Sequence, residues 1–264
     1  MKNITILKIG GSLITEKDKD VPTINYPNLK RFAKEVAESY QKEKSPLVFV
    51  HGVGSFGHVI VHKTGIHKGL TKESHLIDFA ETQRLQNELN VAVVQEFIKN
   101  NIPAMPVQAS ASAVMEKGTI KSMDVKAISG MLDIGLMPTL FGVPAYDSKQ
   151  GCSILSGDDI CVYLAKMLNA TRLIHATDVD GVFDSNPKEN PNAKIISHIT
   201  RQNFEEVLKK TTGSSNTDVT GGMKNKIKGL LELVGTTTEI INGNKKGYIK
   251  RALLGEVGLG TRIC

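Results

Sequence analysis

Val48-Phe49-Val50-His51-Gly52-Val53-Gly54-Ser55-Phe56-Gly57-His58 is the stretch on which the fold turns. The apolar residues from Leu47 to Val50, bounded by Pro46 and the glycines, have the length and composition of a buried strand in a parallel sheet. Glycine lets the backbone approach a ligand closely. A helix that follows such a loop turns unpaired N–H groups and a positive dipole end toward the strand's carboxyl edge. Such a corner suits a phosphate.

Gly52, Gly54 and Gly57 also spell G-x-G-x-x-G. A dinucleotide fold needs this motif in its first βαβ unit, with a strand ending in an acidic residue about 20 positions on. Position 77 lies instead in Ser74–Lys99, whose apolar residues Leu76, Phe79, Ala80, Leu85, Leu89, Val93, Val94 and Phe97 have helical spacing. A protein-kinase glycine loop fits locally, with Lys63 downstream, but H-R-D and D-F-G are absent from the sequence. The loop alone leaves a phosphate site and a plain tight turn both open.

Upstream, Ile4–Ile9 is a β-branched run that turns at Gly10-Gly11-Ser12. Lys8 stands at the strand's end and Lys17 in the charged loop Glu16-Lys17-Asp18-Lys19-Asp20. A lysine beside two glycines at a sheet edge suits a phosphate clamp, because an ammonium is a compact cation with three donors. Tyr26–Lys44 has helical spacing between the two strands. The order strand, glycine turn, helix, strand, glycine loop, helix builds a parallel sheet whose two glycine turns share one edge.

The chain has 264 residues, 40% hydrophobic and 23% charged, which is an ordinary balance for a globular α/β protein with one or two lobes. Its formal charge of +6 favours anionic ligands, but Lys and Arg are spread along the chain and form no basic-aromatic cluster. A nucleic-acid partner is therefore not expected. Cys152, Cys161 and Cys264 show no C-x-x-C spacing, and no apolar stretch approaches the about 18 residues of a membrane span. Met1–Thr5 enters a strand without a signal-peptide pattern, so a cytoplasmic protein with reduced thiols and no membrane association is expected.

Downstream the alternation continues. Ile102–Val107 and Leu136–Phe141 read as strands, Asp124–Leu132 as a helix capped by Asp124, and Val143–Tyr146 with Cys152–Leu155 as a hairpin. Phe79, Gln83 and Gln86 fall near one face of the long helix, able to line a pocket or simply to pack. Ser156-Gly157-Asp158-Asp159 precedes the helical stretch Ile160–Leu168, where an Asp serves as a cap or organises lysines or Mg²⁺. Arg172–Ala176 is a strand ending in the polar loop Thr177–Pro187, which fits a cap over a base and ribose better than a calcium loop. Asn216–Lys226 leads into a helix to about Val234, and Thr237–Ile241 forms a strand. Thr220 or Asp218 can cap that helix, and Lys226, one turn in, can aim at a phosphate on its N-terminus.

In combination, Lys8-x-Gly10-Gly11-Ser12, His51-Gly52-x-Gly54, Ser156-Gly157-Asp158-Asp159, Thr177-Asp178-Val179-Asp180-Gly181-Val182 and Thr220-Gly221-Gly222-Met223-x-x-Lys226 resemble the amino acid kinase superfamily, in its order and over nearly the whole chain. Within it, Gly54–His58 is similar to the loop of the isopentenyl phosphate kinases, which ends in a histidine. The resemblance implies an open αβα sandwich with a mainly parallel central sheet and two lobes. Residues 1–170 would bind the acceptor and residues 171–264 the nucleotide, in one continuous domain that forms a homodimer.

It further implies ATP-dependent phosphorylation of isopentenyl phosphate, or of a similar small phosphate ester, with Mg²⁺ bridging the ATP oxygens and few protein ligands. Lys8 would contact the transferred phosphoryl group, Lys17 and Lys226 the ATP phosphates, and Asp158 would orient the lysines. Gly10, Gly11, Ser12 and Gly54 would meet the phosphates, with Asp178, Asp180, Gly181 and Gly222 on the nucleotide side. His58 would donate to the acceptor phosphate beside Val53 and Gly157, with Phe79, Gln83 and Ile154 near the tail. The competing readings are a related kinase acting on a carboxylate, a carbamate or a nucleoside monophosphate, and a non-catalytic nucleotide-binding sensor.

Overall fold

The computed structural model describes residues 3–16, 21–185, 187, 190–211 and 227–264. The apolar runs form strands β1 (Thr5–Ile9) and β2 (Leu47–His51), buried throughout, and β9 (Arg172–Thr177), buried beyond its first residue. They pair in parallel with β1 at the centre, Lys8 facing Val50 on one side and His175 on the other. Strands β3 (Ala104–Pro106), β6 (Met137–Phe141), β10 (His198–Ile199), β11 (Thr237–Asn242) and β12 (Gly260–Ile263) complete an eight-stranded sheet. Its order is β10-β12-β11-β9-β1-β2-β6-β3, parallel except between β11 and β12. The fold is thus the α/β sandwich with a mainly parallel sheet that the sequence implied.

Helix α2 (Tyr26–Lys42) starts at Asn25, whose side chain accepts the N–H of Asn28 at 3.0 Å, and carries a proline in its first turn. It buries Leu29, Phe32, Ala33, Val36 and Ala37, a face at helical spacing. Helix α4 spans Ser74–Lys99, the bounds read from the sequence. α2 and α4 lie together on one face of the sheet, while α6 (Gly157–Met167) covers β1, β2 and β9 on the other. The halves on either side of residue 170 share the sheet through β1 and β9. Buried Glu35 of α2 also reaches across, accepting the N–H groups of Gly247 at 2.9 Å and Ile249 at 3.1 Å around the last helix, Tyr248–Leu253.

Three details differ from the sequence reading. Helix α5 runs Lys126–Asp133, with Asp124 two residues ahead, where its Oδ1 accepts the N–H of Lys126 at 2.9 Å. The helix expected to reach Val234 is described from residue 227 and stops at residue 231. The expected hairpin of β7 (Val143–Asp147) and β8 (Gly151–Leu155) belongs to a second sheet, with β4 (Ala113–Glu116) and β5 (Thr119–Met123) in the order β5-β4-β7-β8.

Asp147 holds this second sheet together. Its buried carboxylate accepts Gly118 N at 2.8 Å, Lys149 N at 2.9 Å, Lys117 N at 3.1 Å and Gln150 N at 3.2 Å, which ties the turns of both hairpins to one anion. Burial opposes its charge, but the four backbone donors more than offset this and hold the carboxyl well below the ordinary carboxylate range. A group whose folded-state pKa is depressed adds stability that is complete above the unfolded carboxylate pKa and is lost as pH falls through the folded one. Asp147→Asn is expected to lower the unfolding free energy at neutral pH by about 1.5–3 kcal/mol in urea titrations. The gap to wild type should narrow as pH drops below about 4.

Candidate active site

The strands on either side of β1 are reached by crossovers on opposite sides, so the carboxyl end of β1 is a topological switch point, where α/β sheets bind ligands. Two glycine turns meet there. Gly52 N donates to Ile9 O at 2.9 Å and Gly10 N to Ala176 O at 2.9 Å, which extends the ladder into the turns. A Cβ added to Gly11 would lie 2.2 Å from Gly54 N. Gly54 has φ +47°, and a Cβ on it would lie 2.0 Å from Thr15 Oγ1. Only bare backbone fits.

Gly54 precedes helix α3 (Ser55–Thr64), which presents its N-terminus to a cavity of about 650 Å³. Gly10, Gly11, Ser12, Gly54 and Lys8 border this cavity, as do Val53, His58, Ile154, Gly157, Asp158 and Asp178. Segments far apart in sequence thus converge as expected. Gly10 contributes its Cα surface, because its N–H is already engaged by Ala176.

Lys8 is the charge at the centre. It is buried at the end of β1, and its Nζ lies 2.9 Å from Oδ1 of Asp158. The Cε of Lys8 would lie 3.6 Å from a Cβ placed on Gly157, so the stem of the lysine runs beneath the first turn of α6. Asp158 is not that helix's cap. Ser156 is the cap, accepting the N–H of Asp159 at 3.1 Å, which leaves the Asp158 carboxylate available to the lysine.

His51 of the glycine loop is structural. Its Nδ1 donates to Gly52 O at 3.0 Å, its Nε2 lies 3.1 Å from the Asn90 side chain, and its ring stacks on Phe141 at 5.6 Å. Burial pushes its pKa down, partly offset by those hydrogen bonds, so the ring is neutral at pH 7.

The other expected residues lie elsewhere. Gln83 donates to Pro144 O at 2.8 Å and Ser110 Oγ at 3.1 Å, and neither it nor half-buried Phe79 borders the cavity. Gln86, buried on the same helix, does. Phe79 and Gln86 share a face but stand two turns apart, about 10 Å along the axis, so only one of them meets the cavity. Asp180 pairs with Lys245 at 2.8 Å and Asn242 at 2.7 Å, a Cβ on Gly181 would lie 2.6 Å from Thr261 Oγ1, and neither residue borders this cavity. Lys17, Gly222 and Lys226 lie outside the described residues. His175, beside Asp158, is not among the residues that the sequence points to, whereas Ser156 belongs to the motif Ser156-Gly157-Asp158-Asp159. A histidine inside the apolar strand Leu173-Ile174-His175-Ala176 was the available signal.

A parallel sheet with glycine turns and a buried lysine at its switch point defines a phosphate-handling α/β protein. The model of the amino acid kinase family matches residues 3–242, and the chain belongs to that family. Within it, the chain falls with the isopentenyl phosphate kinases. It is 40% identical over 266 residues to the isopentenyl phosphate kinase of Methanothermobacter thermautotrophicus, covering 98% of each chain. It is 38% identical over 268 residues to that of Methanocaldococcus jannaschii, again covering 98% of each. A solved isopentenyl phosphate kinase structure superposes with TM-score 0.85 at 36% identity, covering 99% of this chain and 100% of that one.

Two substitutions probe this geometry, each measured as ADP release. Gly54→Ala is expected to lower kcat by about 100-fold or more, because the added methyl drives the turn away from Gly11 and Thr15 and displaces the edge of the cavity. Asp158→Asn should lower kcat by about 10- to 100-fold, the worth of a charged hydrogen bond that aims the ammonium.

Proposed function

We propose that the protein transfers the γ-phosphoryl group of ATP to isopentenyl phosphate, forming isopentenyl diphosphate and ADP. One observation carries this reading: Lys8, the bare Gly11–Gly54 contact and His58 border a single cavity at the end of β1. An oxygen of the acceptor phosphate attacks the γ-phosphorus. The new O–P bond forms as the bond to the β,γ-bridging oxygen breaks, and that electron pair leaves on ADP. The attacking oxygen is already anionic, so no side-chain base is required.

The barrier is the repulsion between two anions and the need to hold them in line, and cationic positioning lowers it. In this reading Lys8 contacts the transferring oxygens and Asp158 holds it in place. Gly11, Ser12 and Gly54 bring backbone close to the phosphates, and His58, one turn into α3, donates to the acceptor phosphate. Val53, Val143 and Ile154 form an apolar wall on the same cavity, which suits a hydrocarbon tail that offers no charge to grip. We assign Lys17 and Lys226 to the ATP phosphates, and Gly222, Asp178, Asp180 and Gly181 to the nucleotide side.

Residues 1–170 carry the acceptor side and residues 171–264 the nucleotide side. Asp158 and Asp178 border the cavity, and among the described residues no group of three or more His, Cys, Asp and Glu side chains could hold a metal. This donor set fits Mg²⁺ carried mainly on the nucleotide's own oxygens, where it neutralises phosphate charge when bound. The expected homodimer is supported by Ile77, Val91 and Ile98, exposed along one side of α4 at spacings of 14 and 7 residues. Among the described residues no helix is long and apolar enough to cross a membrane. Three free cysteines support a reducing, cytoplasmic setting.

The test is turnover of isopentenyl phosphate against a panel of carboxylate, carbamate and nucleoside monophosphate acceptors. His58→Ala is expected to lower kcat/KM for isopentenyl phosphate by roughly 10- to 200-fold, with the KM for ATP little changed. Unchanged turnover in that variant would remove the acceptor assignment and leave the family membership intact.

A further inference from the structure

His175 occupies an unusual place. In the parallel ladder it stands in register with Lys8 on one side and Ile240 on the other. Residues in register on neighbouring parallel strands send their side chains to the same face, so His175 and Lys8 both point toward α6. The imidazole is fully buried, and its Nδ1 lies 3.3 Å from Oδ1 of Asp158, the oxygen that also receives Lys8 Nζ at 2.9 Å. One carboxylate oxygen thus joins a buried ring and a buried ammonium.

The Asp158 side chain is 35% exposed and stands between two cavities. The second cavity, of about 660 Å³, is bordered by Asp159, Tyr163, Lys166 and Glu232 as well as by His175. Lys166 is engaged there by Glu232 at 2.9 Å, and His175 brings a buried ring nitrogen within reach of Asp158 from β9. A carboxylate with two free torsions, open to solvent on one side, needs a second fixed contact to keep a lysine aimed.

We propose that His175 is a positioning residue for phosphoryl transfer: its Nδ1–H donates to Asp158 Oδ1 and locks the carboxylate that directs Lys8 into the cavity. The proposal rests on the kinase reading above. His175 does not border the cavity that Lys8 and His58 share. Its loss should therefore slow the chemical step and leave substrate affinity alone.

Three variants, assayed on the acceptor that the wild type turns over, test this. His175→Leu removes the donor and is expected to lower kcat by about 10- to 100-fold, with the KM values for ATP and acceptor within about 3-fold of wild type. His175→Asn places an amide N–H near the Nδ1 position and should recover kcat to within about 3-fold of wild type. His175→Gln carries its amide one methylene too far and should stay impaired. Circular dichroism melts of all three report folding. Should the leucine variant fail to fold, the asparagine and glutamine pair decides, and equal kcat in those two overturns the proposal. A folded leucine variant with wild-type kcat overturns it as well. A wild type inactive on isopentenyl phosphate but active on another acceptor counts against the acceptor assignment alone.

Discussion

Everything at the carboxyl edge of the sheet depends on a contact between two pieces of bare backbone. The turn after β1 and the turn after β2 approach so closely that a methyl group on Gly11 or Gly54 would overlap the other turn. With no side chain between them, the N-terminus of α3 is brought beside the end of β1, and Lys8 emerges between the two turns. A wider gap would separate the N-terminus of α3 from the Lys8 side chain that borders the same cavity.

Three carboxylates of the structure differ in what neutralises them. Asp147 is surrounded by backbone N–H groups, and Glu35 by backbone N–H groups and the Arg31 guanidinium at 3.1 Å, and the two hold loops and a helix terminus in place. Asp158 instead meets an ammonium and an imidazole. A carboxylate satisfied by backbone is fixed as firmly as the fold. One satisfied by side chains can orient a charge toward a ligand, which is the requirement of a reaction whose barrier is electrostatic.

Much of this was legible before any coordinates. The run Ile4–Ile9, the run Leu47–Val50 and the long helix Ser74–Lys99 carry strong periodicity, and each was found within a residue of its expected bounds. The pair Ala113–Glu116 and Thr119–Met123 was not legible. Its turn, Lys117-Gly118, puts both residues at positive φ, a geometry that Asn-Gly announces and Lys-Gly does not. That turn is held by Asp147, a residue about 30 positions away, so no local pattern could reveal it.

The sequence by itself determined which residues could bind phosphate, because glycines after apolar runs and lysines at strand ends are local features of chemistry and backbone freedom. It also determined the alternation of the central strands and their helices, since periodicity is local. The tertiary structure decided which of these residues share a cavity. It chose Gln86 over Phe79 and Gln83, made Ser156 the cap in place of Asp158, and set His175 against Asp158. Those choices depend on strand register and on where each helix axis passes the sheet edge, quantities fixed by packing between segments more than 100 residues apart.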